Sequence, residues 1–387
     1  MDLFKLISIL VGACALFAYI NTRFLKLPSS IGLMLIALVF SILIIIEGQI
    51  NSVFHDYVKN IIQSVNFPHI LLDIMLGFLL FSGSLHVNFQ HMMKRGTAVV
   101  VFALLGTALS TFLFGFIIYG VFMLFRLPVD FIYCLLFGAL VSPTDPIAVL
   151  GILKKTNLPK DIGVMIEGES LFNDAIGVVF FLTILGIVNM GPENLSISQT
   201  SLLFCREVLG GILLGFTLGY LVLYFIKKIN DYRTIVFISL ALVMLNSQIA
   251  SLLHVSGPLA IIIIGLLFGT KSQAIMNETT MDYHGKFWEL VDDFLNTLLF
   301  VLIGLQMVLL PFLFKYIGIG ALAILVLFTC RYISLRLPML FMKDKQLFNY
   351  RTSIIMTWGG LRGGLSIALT LSLPESSFKE IIVCITF

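Results

Sequence analysis

Apolar runs of about 20 residues, the length a helix needs to cross hydrocarbon, follow one another along the whole chain. That repetition leaves few folds open. A backbone in lipid must pair every N–H and C=O internally, so only helices and closed barrels remain. Barrel strands would read as alternating segments of about ten residues, and the runs here are longer and continuous. Composition agrees. Of the 387 residues, 59% are hydrophobic and 12% charged, against about 25% charged in soluble domains. The reading is an all-α polytopic membrane protein, residues 1–387 forming a single transmembrane transporter domain.

The pattern predicts thirteen spans, near 3–22, 28–47, 66–87, 97–125, 131–153, 162–189, 201–227, 234–252, 257–270, 286–310, 313–341, 350–373 and 378 onward. The first is read as a span and not a signal peptide. Its start is acidic as well as basic (Asp2, Lys5), and Asn21 and Arg23 follow where a small-residue cleavage site belongs. The last run stops at Phe387, so the chain reads as ending within its final helix. Basic residues crowd the odd-numbered connections, from Arg23 and Lys26 to Arg336, Lys343, Lys345 and Arg351. The even-numbered ones hold Lys59, Arg126, Arg206, Lys315 and Lys379. The positive-inside rule then sets the odd connections in the cytoplasm of a cell (inner) membrane and the N-terminus outside. A net charge of +3 gives no argument for nucleic acid. Cys14, Cys134, Cys205, Cys330 and Cys384 are far apart, without metal-ligand or CxxC spacing, and read as small core or lipid-facing residues.

Two spans are interrupted. Ser142-Pro143-Thr144-Asp145-Pro146 breaks the fifth, and Gly359-Gly360-Leu361-Arg362-Gly363-Gly364 breaks the twelfth. The prolines remove donors and push the residues before them toward extended backbone. Asp145-Pro146 is the N-cap and N1 pattern of a new half-helix. The breaks sit seven spans apart, so spans 1–6 and 8–13 are expected as inverted repeats. Paired breaks at corresponding positions point to a transporter's binding site, with the two broken helices crossing at the bilayer midplane.

The sixth span is unbroken. Glu169 with Asn173, and Ser170 with Asp174, are four apart and share helix faces. Positions 173 and 174 point about 100° apart. Asp174 is therefore placed to face a polar pocket while Asn173 pins neighbouring backbone. A carboxylate out of water keeps its charge only beside a cation or yields it to a proton, so one Asp174 suffices for competition between the two. Glu169 reads as a scaffold partner for Arg331, which stands inside the eleventh span. The other reading of Arg331 is snorkelling to the cytoplasmic surface. Arg362 either neutralises helix ends at the crossing or belongs to a gated cytoplasmic loop. Asp73 reads as solvated or capping. Glu289, Asp292 and Asp293 fit an acidic funnel or a solvated helix start equally. The small-residue seams Gly211/Gly215/Gly219 and Gly265/Gly269 fit close helix packing.

Gly138–Val149 together with Glu167–Ala175 resembles the monovalent cation:proton antiporters of the first class, which include bacterial and archaeal sodium/proton antiporters and animal sodium/proton exchangers. The resemblance covers essentially the whole chain. It implies a thirteen-helix inverted-repeat fold, a homodimer, and a core that moves against a dimerisation domain. It implies antiport of Na⁺, with Li⁺ and K⁺ as further candidates, against H⁺, and electroneutral exchange from the Asn-Asp pairing. Asp174 then resembles the transport aspartate, Asn173 its partner, Thr144 and Asp145 the unwound-segment residues, and Ser170 a site hydroxyl. Glu169 with Arg331 resembles the core ion pair. The cation ligands implied are Asp174, Asp145, Ser170 and Thr144, with no cofactor beyond the transported ions. Relatives often carry glutamate in the third span where this chain has Ser82 within Phe81-Ser82-Gly83-Ser84. The rival from another class is a gated cation channel or membrane sensor on the same scaffold. An intramembrane hydrolase is set aside. Ser170 lacks a Gly-x-Ser-x-Gly setting, and no histidine is expected in a nearby span core.

Overall fold

The computed structural model describes residues 3–48, 52–87, 89–146, 160–190, 197–309, 317–342, 344, 347–360, 363–374 and 377–386. Among the described residues, helix is the only regular structure. Helices α1 (Leu3–Ile20) and α2 (Ser29–Gly48) are followed by α3 (Ser52–Ser64). The third span is built from α4 (Phe67–His69), a π-helical turn at Ile70–Met75, and α5 (Leu76–His86). After α6 (Phe89–Lys94), the fourth joins α7 (Gly96–Val101), a π-helical turn at Phe102–Gly106, and α8 (Thr107–Leu124). Helix α9 (Phe131–Val141) opens the fifth. Long helices follow: α10 (Lys160–Met190), α11 (Ile197–Ile226), α12 (Tyr232–Leu253), α13 (Gly257–Ile275), α14 (Glu278–Gln306) and α15 (Ile317–Phe341). The chain closes with α16 (Tyr350–Gly359), α17 (Gly364–Leu371) and α18 (Ser377–Thr386).

The expected thirteen spans are not all described as single long helices. Nine helices among the described residues are long and apolar enough to cross a membrane. The count is ten if α16 and α17, bent by 55°, form one span. The helices Phe131–Val141 and Gly257–Ser272 are apolar but shorter, and α18 has 10 residues. Each shortfall has a local cause. Pro143 stops α9, with the rest of the fifth run outside the described residues, and Thr270, Lys271 and Ser272 end the apolar part of the ninth.

Helix starts follow from side chains that accept otherwise orphaned N–H groups. Asp231 accepts from the Thr234 amide at 3.0 Å, and Asn277 from Thr280 at 2.7 Å. Asn349 accepts from Arg351 and Thr352. Phe4, Phe116, Leu202, Tyr224 and Leu252 are exposed, while Ser142, Glu169, Asn173 and Arg331 are buried. Polar groups inside and large apolar groups outside are what a lipid solvent requires.

The glycine seams are internal. A Cβ at Gly215 would meet the Ala260 carbonyl of α13 at 2.6 Å, and Gly269 lies against Leu85 of α5. Four apolar clusters form among the described residues, and two of them bear on the site. The larger holds Leu80, Phe114, Phe137, Leu171 and Phe268; the second joins Phe17, Leu33, Leu71, Leu299 and Val301. Leu71, Leu80, Leu171 and Leu299 also line one cavity, so the cavity lies where the two cores meet.

Candidate ion site

The two breaks touch. A Cβ on Gly363 would stand 2.7 Å from Cβ and Oδ2 of Asp145, and one on Gly360 3.0 Å from Arg331 Nε and 3.1 Å from the Thr144 methyl. Only residues without a side chain allow that approach. Ser142 anchors the first break from behind. Its hydroxyl donates to the Gly138 carbonyl at 2.7 Å and pairs with Thr111 Oγ1 at 2.9 Å. Pro143 packs against Gly177 of α10.

Thr144 is the most heavily bonded residue of the break. Its amide donates to Asn173 Oδ1 at 3.4 Å, and its carbonyl accepts from the Ser170 hydroxyl. Its Oγ1 accepts from Asn173 Nδ2 at 2.7 Å and from Arg331 Nη2 at 3.4 Å. Asn173 Nδ2 also donates to Glu169 Oε1 at 2.8 Å. Arg331 Nη2 meets Glu169 Oε2 at 2.7 Å, both side chains 2% exposed. A buried ion pair survives only when extra hydrogen bonds satisfy it, and Asn173 and Thr144 supply them. Arg331 Nε and Nη1 are left without a partner.

Asp174 turns the other way. Its carboxylate has no hydrogen bond or ion pair among the described residues, and it is half-buried on the wall of a cavity of about 340 Å³. Pro143, Thr144, Asp145, Pro146 and Ser170 share that wall. Across it stand His86 of α5 and, on α14, Asp292 and Asn296, which hydrogen-bond at 3.0 Å. Carboxylate, hydroxyl and unwound-carbonyl oxygens are the donors that hold Na⁺ or H⁺ in broken-helix transporters. Among the described residues, no cluster of three or more His, Cys, Asp or Glu side chains is placed to hold a metal ion otherwise.

Of the residues singled out by sequence, Asp174, Asp145, Thr144, Ser170, Pro143 and Pro146 come together at the cavity. Asn173, Glu169, Arg331 and Ser142 lie behind its wall. Arg362 and the half-helix after Pro146 fall outside the described residues. Ser82 is also off the cavity, its hydroxyl donating to the Trp288 carbonyl at 3.0 Å.

The sequence reading missed the histidines. His86 lines the cavity, and His284 is buried on α14, where its Nε2 accepts from Trp288 Nε1 at 3.2 Å. The Ser170 hydroxyl is given to the Thr144 carbonyl, and His284 pairs with Ser239. The sequence also left Asp292 undecided and passed over Asn296. Their spacing of four, with Leu299 three further on, is the signal that puts them on one face.

A broken span cross-braced to an intact helix, with one unpaired carboxylate reaching a cavity, defines a secondary transporter of small cations. Comparison with known proteins narrows this. The family described as sodium/hydrogen exchanger, transmembrane, matches residues 12–385. The Na⁺/H⁺ antiporter NhaP of Pseudomonas aeruginosa is 39% identical, over 99% of this chain and 91% of its own. NhaH of Halobacillus aidingensis is 33% identical, over 94% and 88%. The solved structure of the sodium proton antiporter MjNhaP1 from Methanocaldococcus jannaschii superposes with a TM-score of 0.77. It is 21% identical and covers 100% of this chain and 93% of that one. The chain belongs to the sodium/hydrogen exchanger family.

Proposed function

We propose that this multi-pass membrane protein exchanges Na⁺ for H⁺ by alternating access, with Asp174 holding either the cation or the proton. One observation carries the assignment. On α10 the buried Glu169 is neutralised by Arg331, while the half-buried Asp174 has no hydrogen bond or ion pair among the described residues and faces the cavity. Thr144, Asp145 and Ser170 supply the remaining oxygens, and Asn173 holds the unwound segment in place. One carboxylate serving one ion at a time supports electroneutral exchange. The cavity is lined by His86 and Asp292 together with Thr144 and Asp145 of the first break and Gly363, Gly364 and Leu365 of the second. Membership of the exchanger family and the likeness to NhaP support a carrier over a channel.

The same reading places the N-terminus outside, the His86 side in the cytoplasm of a cell (inner) membrane, spans 1–6 and 8–13 as inverted repeats, and the working unit as a homodimer. The distribution of basic residues supports the orientation. In proteoliposomes, Asp174→Asn is expected to abolish Na⁺-driven dequenching of a pH dye while the protein stays folded; persistence of the signal overturns the assignment. A panel of Na⁺, Li⁺ and K⁺ against pH, repeated with an imposed membrane potential, decides selectivity and stoichiometry.

A further inference from the structure

Ser366, the third residue of α17, is a polar group that the exchange reaction as described leaves unused. It is 3% exposed, and its hydroxyl has no hydrogen-bond partner. Leaving a buried hydroxyl unpaired costs about 1–3 kcal/mol. Its neighbours avoid that cost by donating to the preceding helical turn. Thr370 donates to the Ser366 carbonyl at 2.7 Å and Ser372 to the Leu369 carbonyl at 2.8 Å. Ser366 stands in the first turn of α17, whose N-cap Gly363 is extended (φ −101°, ψ −175°).

Its position suggests what the hydroxyl is for. Gly363 and Ser366 line both the cavity of Asp174 and a second cavity of about 360 Å³. The two cavities succeed one another along α14. The first reaches Asp292, Asn296 and Leu299, the second Ile303, Gly304 and Met307. At 1.5 Å per residue, Met307 lies roughly 16 Å beyond Asn296. Ser366 therefore stands in the partition between two spaces at successive depths, with an oxygen that has no hydrogen-bond partner among the described residues.

Resting on the reading of Asp174 as the exchanging carboxylate, we propose that Ser366 Oγ is a further ligand of the transported monovalent cation. It is engaged as the ion passes from the Asp174 cavity toward the second one, and it contributes to selection among ions by size. Asp174 and Asp145 supply the negative charge; Ser366 replaces one water of the cation's shell with a fixed neutral oxygen.

The test compares wild type, Ser366→Ala and Ser366→Thr in proteoliposomes, titrated with Na⁺ and with Li⁺ at fixed pH. Ser366→Ala is expected to raise the apparent KM for Na⁺ about tenfold, as loss of one hydrogen-bond-strength contact predicts, with Vmax within about twofold and the Na⁺/Li⁺ preference changed. Ser366→Thr keeps the oxygen and stays near wild type. The Na⁺-induced rise in melting temperature compares each variant with itself, so a weakened variant still reports. That rise shrinks in Ser366→Ala. An Ala variant with unchanged KM, ion preference and Na⁺-induced shift overturns the proposal, whatever happens to Vmax or basal stability. Asp174→Asn run alongside separates the two readings, since exchange surviving there removes the Asp174 assignment and leaves the Ser366 titrations to stand alone.

Discussion

Glu169 and Asp174 sit on one helix and meet opposite fates. Glu169 is closed into an ion pair with Arg331 and a hydrogen bond from Asn173; Asp174 is left to the cavity. Removing one partner of a buried pair strands the other, at a cost of about 3–5 kcal/mol. Glu169→Gln is therefore expected to lower the melting temperature sharply. Glu169→Gln combined with Arg331→Met recovers part of the loss, because no unpaired charge is left behind. A double variant less stable than the single would contradict the scaffold role. Asp292, on the facing wall, calls for a milder test. Asp292→Asn is expected to slow exchange several-fold at low Na⁺ and to leave it unchanged at saturating Na⁺, as loss of a cation-concentrating charge predicts. The facing of positions 169, 173 and 174 was legible because their spacing separates them around a helix. Asp292 and Asn296 were not, since the facing wall belongs to a helix more than a hundred residues away and only tertiary packing brings it across.

At the scale of elements, the two breaks were legible and the π-helical turns were not. Proline pairs and glycine pairs cannot continue a helix, so Pro143, Pro146 and Gly359–Gly364 announce themselves. The wide turns at Ile70–Met75 and Phe102–Gly106 lie in ordinary apolar sequence, and nothing in hydrophobic periodicity tells them from α-helix. Helix α9 stops at Val141, just before the break that the prolines mark. The contact between breaks yields a test. Gly363→Ala puts a methyl 2.7 Å from the Asp145 side chain, so exchange is expected to fall more than tenfold. Gly12→Ala, with nothing within 4 Å of the added Cβ, leaves it unchanged. Equal activity in the two variants would show that the close approach is dispensable.

For the whole molecule, the membrane class was legible from composition, while the meeting of two cores around one cavity was not, because it depends on which helices become neighbours. The proposed orientation can be checked by labelling. With the five native cysteines replaced, Asn296→Cys is expected to react with a membrane-impermeant thiol reagent from the cytoplasmic side and not from outside; the reverse pattern inverts the topology. One feature of the site bears on how the molecule moves. Thr144 is tied through its amide, its carbonyl and its hydroxyl to α10 and to Arg331 of α15. A segment held at three points has no hinge of its own. Access can then change only when α10 and α15 travel with it, shearing the surrounding lipid. Turnover should therefore follow bilayer viscosity, slowing abruptly when the acyl chains freeze, even at temperatures where ion binding is intact.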